Sequence, residues 1–99
     1  MILVRDVFQL KFGKAREALT VWKEGFAITK KLGLGGMNRL LTDLVGKYYT
    51  VVLESTYDSL SDYEKAGKAV TANEEWRAWY QKIVALTEAG HREIFNIVE

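Results

Sequence analysis

Residues 2–11 alternate in character. Ile2, Val4, Asp6, Phe8 and Leu10 fall on one side of an extended chain, and Leu3, Arg5, Val7, Gln9 and Lys11 fall on the other. That period of two, carried by β-branched and aromatic residues, predicts a strand. Past Phe12-Gly13 the period lengthens. Ala15, Ala18, Leu19, Trp22, Phe26 and Leu32 recur at three- and four-residue spacing, which predicts an amphipathic helix over 14–32 with Gly33 at its C-terminal cap. Residues 37–45 and 48–57 read as two strands of a hairpin turning at Gly46-Lys47. Ser61 with Glu64, and Thr71 with Glu74, stand at capping-box spacing, where a hydroxyl and a glutamate satisfy each other's backbone amides. They predict a short helix near 60–69 and a longer one near 74–89. HREIFNIV, residues 91–98, predicts a closing strand.

The order strand, helix, strand, strand, helix, strand with short connections predicts a ferredoxin-like βαββαβ fold of the α+β class. It has a four-stranded antiparallel sheet with the helices on one face. The 99 residues make one domain, 1–99. The other sheet face would be bare and carries apolar side chains. A second sheet from another copy is the expected cover, so the chain is expected to be a homodimer closing an α/β barrel.

Composition narrows the function classes. Hydrophobic residues make up 48% and charged residues 27%, which is ordinary for a folded domain. The 14 basic and 13 acidic residues are dispersed, so there is no electrostatic footprint for nucleic acid or an anionic membrane. The absence of cysteine removes disulfides, thiolate nucleophiles and thiolate metal sites. Arg5 and Asp6 interrupt the first apolar run, which therefore reads as a strand and not a signal peptide. No run reaches the ~18 apolar residues of a membrane span. A cytoplasmic location is the expectation. GLGG, residues 33–36, follows a helix and has Asn38 where a third phosphate-loop glycine would stand, so it reads as a connector.

VFQLKFGKAREALTVWKEG resembles the first strand and helix of the dimeric α/β-barrel superfamily. YDSLSDYEKAGKAV with ANEEWRAWYQKIVAL resembles its NIPSNAP-like and antibiotic-biosynthesis-monooxygenase-like (ABM) members, through Tyr57, Ser59, Leu60, Tyr63, Asn73, Glu74 and Trp76. The resemblance implies a homodimer with a pocket in each subunit between sheet and helices. Some members oxygenate aromatic substrates without metal or flavin, some degrade haem, and fold alone does not choose among them.

Counted back from Gly13, Asp6 falls where haem-degrading members of the superfamily place a pocket asparagine. Its neighbours Ile2, Val4, Phe8 and Leu10 would partly desolvate a carboxylate, as suits a general base. The alternative is an ion pair with Arg39 or Arg92 near a sheet end. His91 is the only histidine. One histidine with scattered carboxylates does not make a metal site, and none is expected. The family's iron-binding histidine falls near Trp79 or Tyr80 here, so no haem or other cofactor is expected either. After Gly90, His91 would complement the end of the long helix, or act as a proton shuttle at a pocket mouth.

In NEEWRAWYQK, residues 73–82, the helical stripe carries Trp76, Trp79, Tyr80 and Ile83. Trp76 and Ile83 are assigned to the core; Trp79 and Tyr80 lie at the flanks, with Tyr80 the better pocket wall. Two function classes follow. One is a small-molecule enzyme, a cofactor-independent oxygenase or isomerase, binding a hydrophobic ring among Trp22, Phe26, Trp76, Trp79 or Tyr80 and using Asp6 or His91 for proton removal. The other is a non-catalytic ligand-binding or scaffold homodimer.

Overall fold

The structure is a computed structural model that describes residues 1–33 and 38–99. The GLGG connector beyond Gly33 and Met37 lie outside the described residues. The order is β1 (Ile2–Leu10), α1 (Ala15–Lys31), β2 (Asn38–Thr42), β3 (Thr50–Tyr57), α2 (Leu60–Thr71), α3 (Glu74–Leu86) and β4 (Thr87–Asn96). The sheet order is β2-β3-β1-β4, with every neighbouring pair antiparallel. This is the predicted ferredoxin-like arrangement, with the second helical segment broken into α2 and α3.

The alternation in β1 decides its faces. Ile2, Val4 and Leu10 are buried against the helices, and Asp6 and Phe8 share that side. The core gathers Leu10, Ala18, Trp22, Val51, Trp79 and Ile83, so it lies where α1 and α3 pack together over the end of the central strands that carries Leu10 and Val51. Gly25 lets α1 and α3 approach: a Cβ built on it would stand 2.1 Å from Cε2 of Trp79. Trp79 Nε1 donates to the carbonyl of Val21 at 2.5 Å, pinning α3 to α1.

Gly33 takes φ +68 and its amide reaches the Lys30 carbonyl at 3.0 Å, the left-handed helix ending predicted for it. Other boundaries move. The predicted hairpin turn at Gly46-Lys47 is instead a longer connection, 43–49, and Tyr48 and Tyr49 lie in it and not in β3. Asp43 accepts from the Thr50 amide at 2.9 Å and Thr50 Oγ1 donates to the Lys47 carbonyl at 2.8 Å, while Tyr49 takes φ 60. These local bonds end the ladder early.

The helix caps also lie elsewhere. Ser59 accepts from the Asp62 amide at 3.2 Å and Asn73 from the Trp76 amide at 2.8 Å, in place of Ser61 and Thr71. Thr71 instead donates to the Gly67 carbonyl at 3.0 Å as the last residue of α2.

The largest shift is at β4. α3 ends at Leu86, not 89, and Thr87 is already extended, its hydroxyl donating to the Ile83 carbonyl at 2.6 Å. No turn separates the elements. His91 therefore does not cap α3: it sits inside β4, opposite Val7. Gly90 is mid-strand opposite Phe8, where a Cβ would stand 2.6 Å from Phe8 Cδ1. The ring occupies the space that a side chain would need.

The face away from the helices holds Leu3, Val7, Leu41, Val52 and Phe95 around a row of charges. The register sets Arg39, Glu54, Arg5 and Glu93 side by side across β2, β3, β1 and β4. Arg39 bonds Glu54 Oε1, Arg5 Nε donates to Glu54 Oε2 at 3.0 Å, and Arg5 Nη1 donates to Glu93 Oε1 at 3.0 Å. Glu54, only 6% exposed, has both oxygens satisfied, which is what makes its burial tolerable.

Candidate functional site

On the helix side, the same alternation that buries Val4 and Leu10 leaves a carboxylate between them. Asp6 pairs in register with Arg92 of β4, and Arg92 Nε donates to Asp6 Oδ1 at 2.6 Å. The Asp6 side chain is 18% exposed and that of Arg92 55%. Of the two partners the sequence offered for Asp6, Arg39 stands on the opposite sheet face and Arg92 is the one realised. The pair lies in the middle of β1, not near a sheet end.

Two cavities, of about 460 and 520 Å³, open between the sheet and the helices. They share Asp6, Thr29, Leu53, Thr71, Trp76 and Arg92, so the ion pair stands where they meet. The first is walled by rings, among them Phe8, Phe26, Trp76 and Tyr80. Trp76 and Tyr80 stack with centroids 5.1 Å apart and planes inclined by 18°. The second is more polar, with Tyr57, Tyr63, Glu64 and Lys68. Tyr57 meets Tyr63 edge-on at 5.3 Å, and the Arg92 guanidinium carbon lies 5.5 Å from the Tyr63 ring centre.

Burial, then the charges of Tyr63 and Asp6, push the Tyr57 hydroxyl above the ordinary tyrosine range. Burial does the same to Tyr63, against the opposing pull of Arg92 and with that of Asp6. Both phenols are thus neutral hydrogen-bonding groups near neutral pH. Among the described residues no group of three or more His, Asp or Glu side chains is placed to hold a metal ion.

The structure brings Asp6, Trp22, Phe26, Trp79 and Tyr80 to one cavity. It does not bring His91 there. His91 lies on the opposite sheet face, exposed and 3.3 Å from Glu93 Oε2, so within one chain Asp6 and His91 do not face a common ligand. The tryptophans of α3 exchange the emphasis the helical wheel gave them. Trp79 is the buried core ring against Gly25, while Trp76 is half-buried, lines both cavities and carries the stack with Tyr80. A wheel locates a stripe but not the point along it nearest the sheet. Tyr57 and Tyr63 are site residues to which the sequence assigns no role in the cleft, and Arg92 is there only one of two alternative partners of Asp6. For Arg92 the missing signal is the register of β4, which starts four residues earlier than predicted.

A four-stranded ferredoxin-like sheet under helices, with a cleft between the two layers, defines the architectural class. Residues 5–99 match the NIPSNAP family model, and the chain belongs to the NIPSNAP family. Its fold is that of an uncharacterized NIPSNAP domain protein from Burkholderia xenovorans, with a TM-score of 0.90 at 20% identity over 99% of this chain and 95% of that one. A NIPSNAP family protein from Agrobacterium tumefaciens superposes with a TM-score of 0.87 at 20% identity, covering 96% and 90% of the two chains. The cofactor-independent oxygenase SnoaB from Streptomyces nogalater shares the fold more distantly, with a TM-score of 0.75 at 14% identity over 99% and 93%. No curated protein is significantly similar in sequence. Among the described residues no helix is long and apolar enough to cross a membrane.

Proposed function

We propose that this NIPSNAP chain binds a small, hydrophobic, ring-bearing molecule in the cleft between sheet and helices. The observation that carries the reading is the pairing of the aromatic-walled cavity with the Asp6–Arg92 ion pair at its polar end. Cavities of about 300–1,000 Å³ with apolar walls and a few convergent polar groups are the usual form of ligand sites. Native mass spectrometry of freshly purified protein is expected to show a retained small molecule, or isothermal titration to show saturable uptake of fused-ring compounds. Protein that retains nothing and binds none of a fused-ring panel would refute the reading.

A second reading, cofactor-independent oxygenation, draws on the fold shared with SnoaB and on Asp6, whose Oδ2 no described side chain engages. Asp6 would take the acidic proton of a ring-activated CH₂ group, and the carbanion would donate its electrons to O₂. The resulting peroxide would lose water to leave C=O, so the substrate itself is the reductant. Oxygen uptake with an anthrone-like substrate, abolished in Asp6→Asn, supports it; no uptake above buffer rejects it in favour of the non-catalytic binding protein.

We also propose that the chain works as a homodimer, in the cytoplasm, with its exposed sheet face covered by a second copy. The alternating row Arg39, Glu54, Arg5, Glu93 supports this. Turned about a two-fold axis parallel to the strands, plus-minus-plus-minus meets its own complement: Arg39 lies over Glu93 of the other copy and Glu54 over its Arg5. A two-fold along the row would set like charges face to face. A monomer in sedimentation equilibrium at micromolar concentration would reject the dimer.

A further inference from the structure

The polar end of the cleft has a chemistry of its own. The Arg92 guanidinium is held at two points, by Asp6 Oδ1 on Nε at 2.6 Å and by the Tyr63 ring face 5.5 Å from its centre. Nη1 and Nη2 bond to no other described residue. What remains open is the end-on fork of two parallel N–H donors, whose spacing matches the two oxygens of a carboxylate.

The surroundings favour an acceptor over a donor as the ligand's polar group. Tyr57 and Tyr63, both neutral, line the same cavity and bring hydroxyl groups that can donate. The other charges lining it, Glu64 and Lys68, lie one helical turn apart and offset each other. Asp6 spends its charge on Arg92. The cleft therefore has no strong net field, and discrimination falls to the oriented fork. The adjoining chamber, with Phe26 and the stacked Trp76 and Tyr80, takes flat apolar rings.

We propose that the ligand of this cleft is a planar aromatic acid, its ring system against Trp76 and its carboxylate on the Nη1/Nη2 edge of Arg92. Asp6 is then a positioning residue, turning the fork towards the ligand while competing mildly for the same cation. This rests on the reading that the cleft binds a ring-bearing molecule, and adds the anionic group and its receptor.

The test uses a matched pair of probes, 2-naphthoate and 2-naphthalenemethanol, titrated calorimetrically into the full chain. Naphthoate is expected to bind about tenfold or more tightly, in keeping with a charge-assisted bidentate contact. Arg92→Met should erase that preference while leaving the alcohol's affinity in place. Arg92→Lys, which keeps the charge but not the fork, should retain only part of it and serves if Arg92→Met does not fold. Asp6→Asn, which keeps an acceptor for Nε but removes the competing charge, should raise the preference for naphthoate over the alcohol. Equal affinity for both probes, or a preference untouched in the Arg92 variants, overturns the acid assignment and leaves the ring-binding reading standing. Binding of neither probe overturns both.

Discussion

Trp79 and Gly25 occupy one volume between them: the indole edge lies where a side chain on Gly25 would begin, 2.1 Å from an added Cβ. Helix α1 is thereby shaped to receive α3, and the ring of Trp79 is held in the core, where it forms part of the floor of the aromatic cavity. In Gly25→Ala, helix propensity alone would add up to about 1 kcal/mol of stability. The overpacked ring outweighs it, and a net loss of about 1–3 kcal/mol is expected by urea denaturation. A stabilised variant would show that α1 and α3 can separate at no cost.

The two caps of the second helical region are separable from their sequence look-alikes. Ser59→Ala and Asn73→Ala each remove a side-chain acceptor from a first-turn amide and are expected to cost about 1 kcal/mol. Ser61→Ala, in the exposed first turn of α2, should stay within about 0.5 kcal/mol of the parent. Thermal melts of the three variants side by side provide the comparison, and a Ser61 effect as large as that of Ser59 would place the helix start two residues later.

Alkaline pH should weaken the protein through Tyr57 and Tyr63. Burial raises both above the ordinary value of 10.0, so the folded state holds their protons after the unfolded state has released its own. Fewer protons on the unfolded chain make stability fall as pH rises. The contribution is intact below the unfolded value and is lost as pH climbs from there through the folded values. Urea midpoints measured at about pH 9 and about pH 11 should drop, and the drop should be smaller in Tyr57→Phe. An equal drop in both proteins would assign the effect to other groups.

The charge row offers a test in which one chain cannot rescue itself. Arg39 and Glu93 lie on β2 and β4, the two edges of the sheet, and meet only across the proposed two-fold. Arg39→Glu and Glu93→Arg should each weaken the homodimer by on the order of tenfold or more. A mixture of the two variants should form heterodimer beyond the statistical share by native mass spectrometry. If the row acts only within a chain, the mixture gains nothing, because each variant keeps its own broken pair with Glu54 or Arg5.

Much of the fold was legible because its signals are local. The period-two run of β1, the period change after Gly13 and the left-handed glycine at 33 each depend on a few neighbouring residues. The β4 start was not legible, because Gly90 looks like a turn residue until Phe8 is laid across it from another strand. That displacement accounts for the differences at the site: it takes His91 from the helix end into a strand and makes Arg92 the register neighbour of Asp6.

By itself the sequence determined the element order, the face on which Asp6 would lie and the concentration of aromatic side chains on α1 and α3, all properties of short-range periodicity. Only the tertiary structure decided which tryptophan is core and which is wall, and that Asp6 and His91 look away from each other. Packing joined Arg92, Tyr57 and Tyr63 from three separate elements into one polar end of a cleft. Those outcomes depend on strand register and helix approach, where a one-residue slip turns every side chain to the other face.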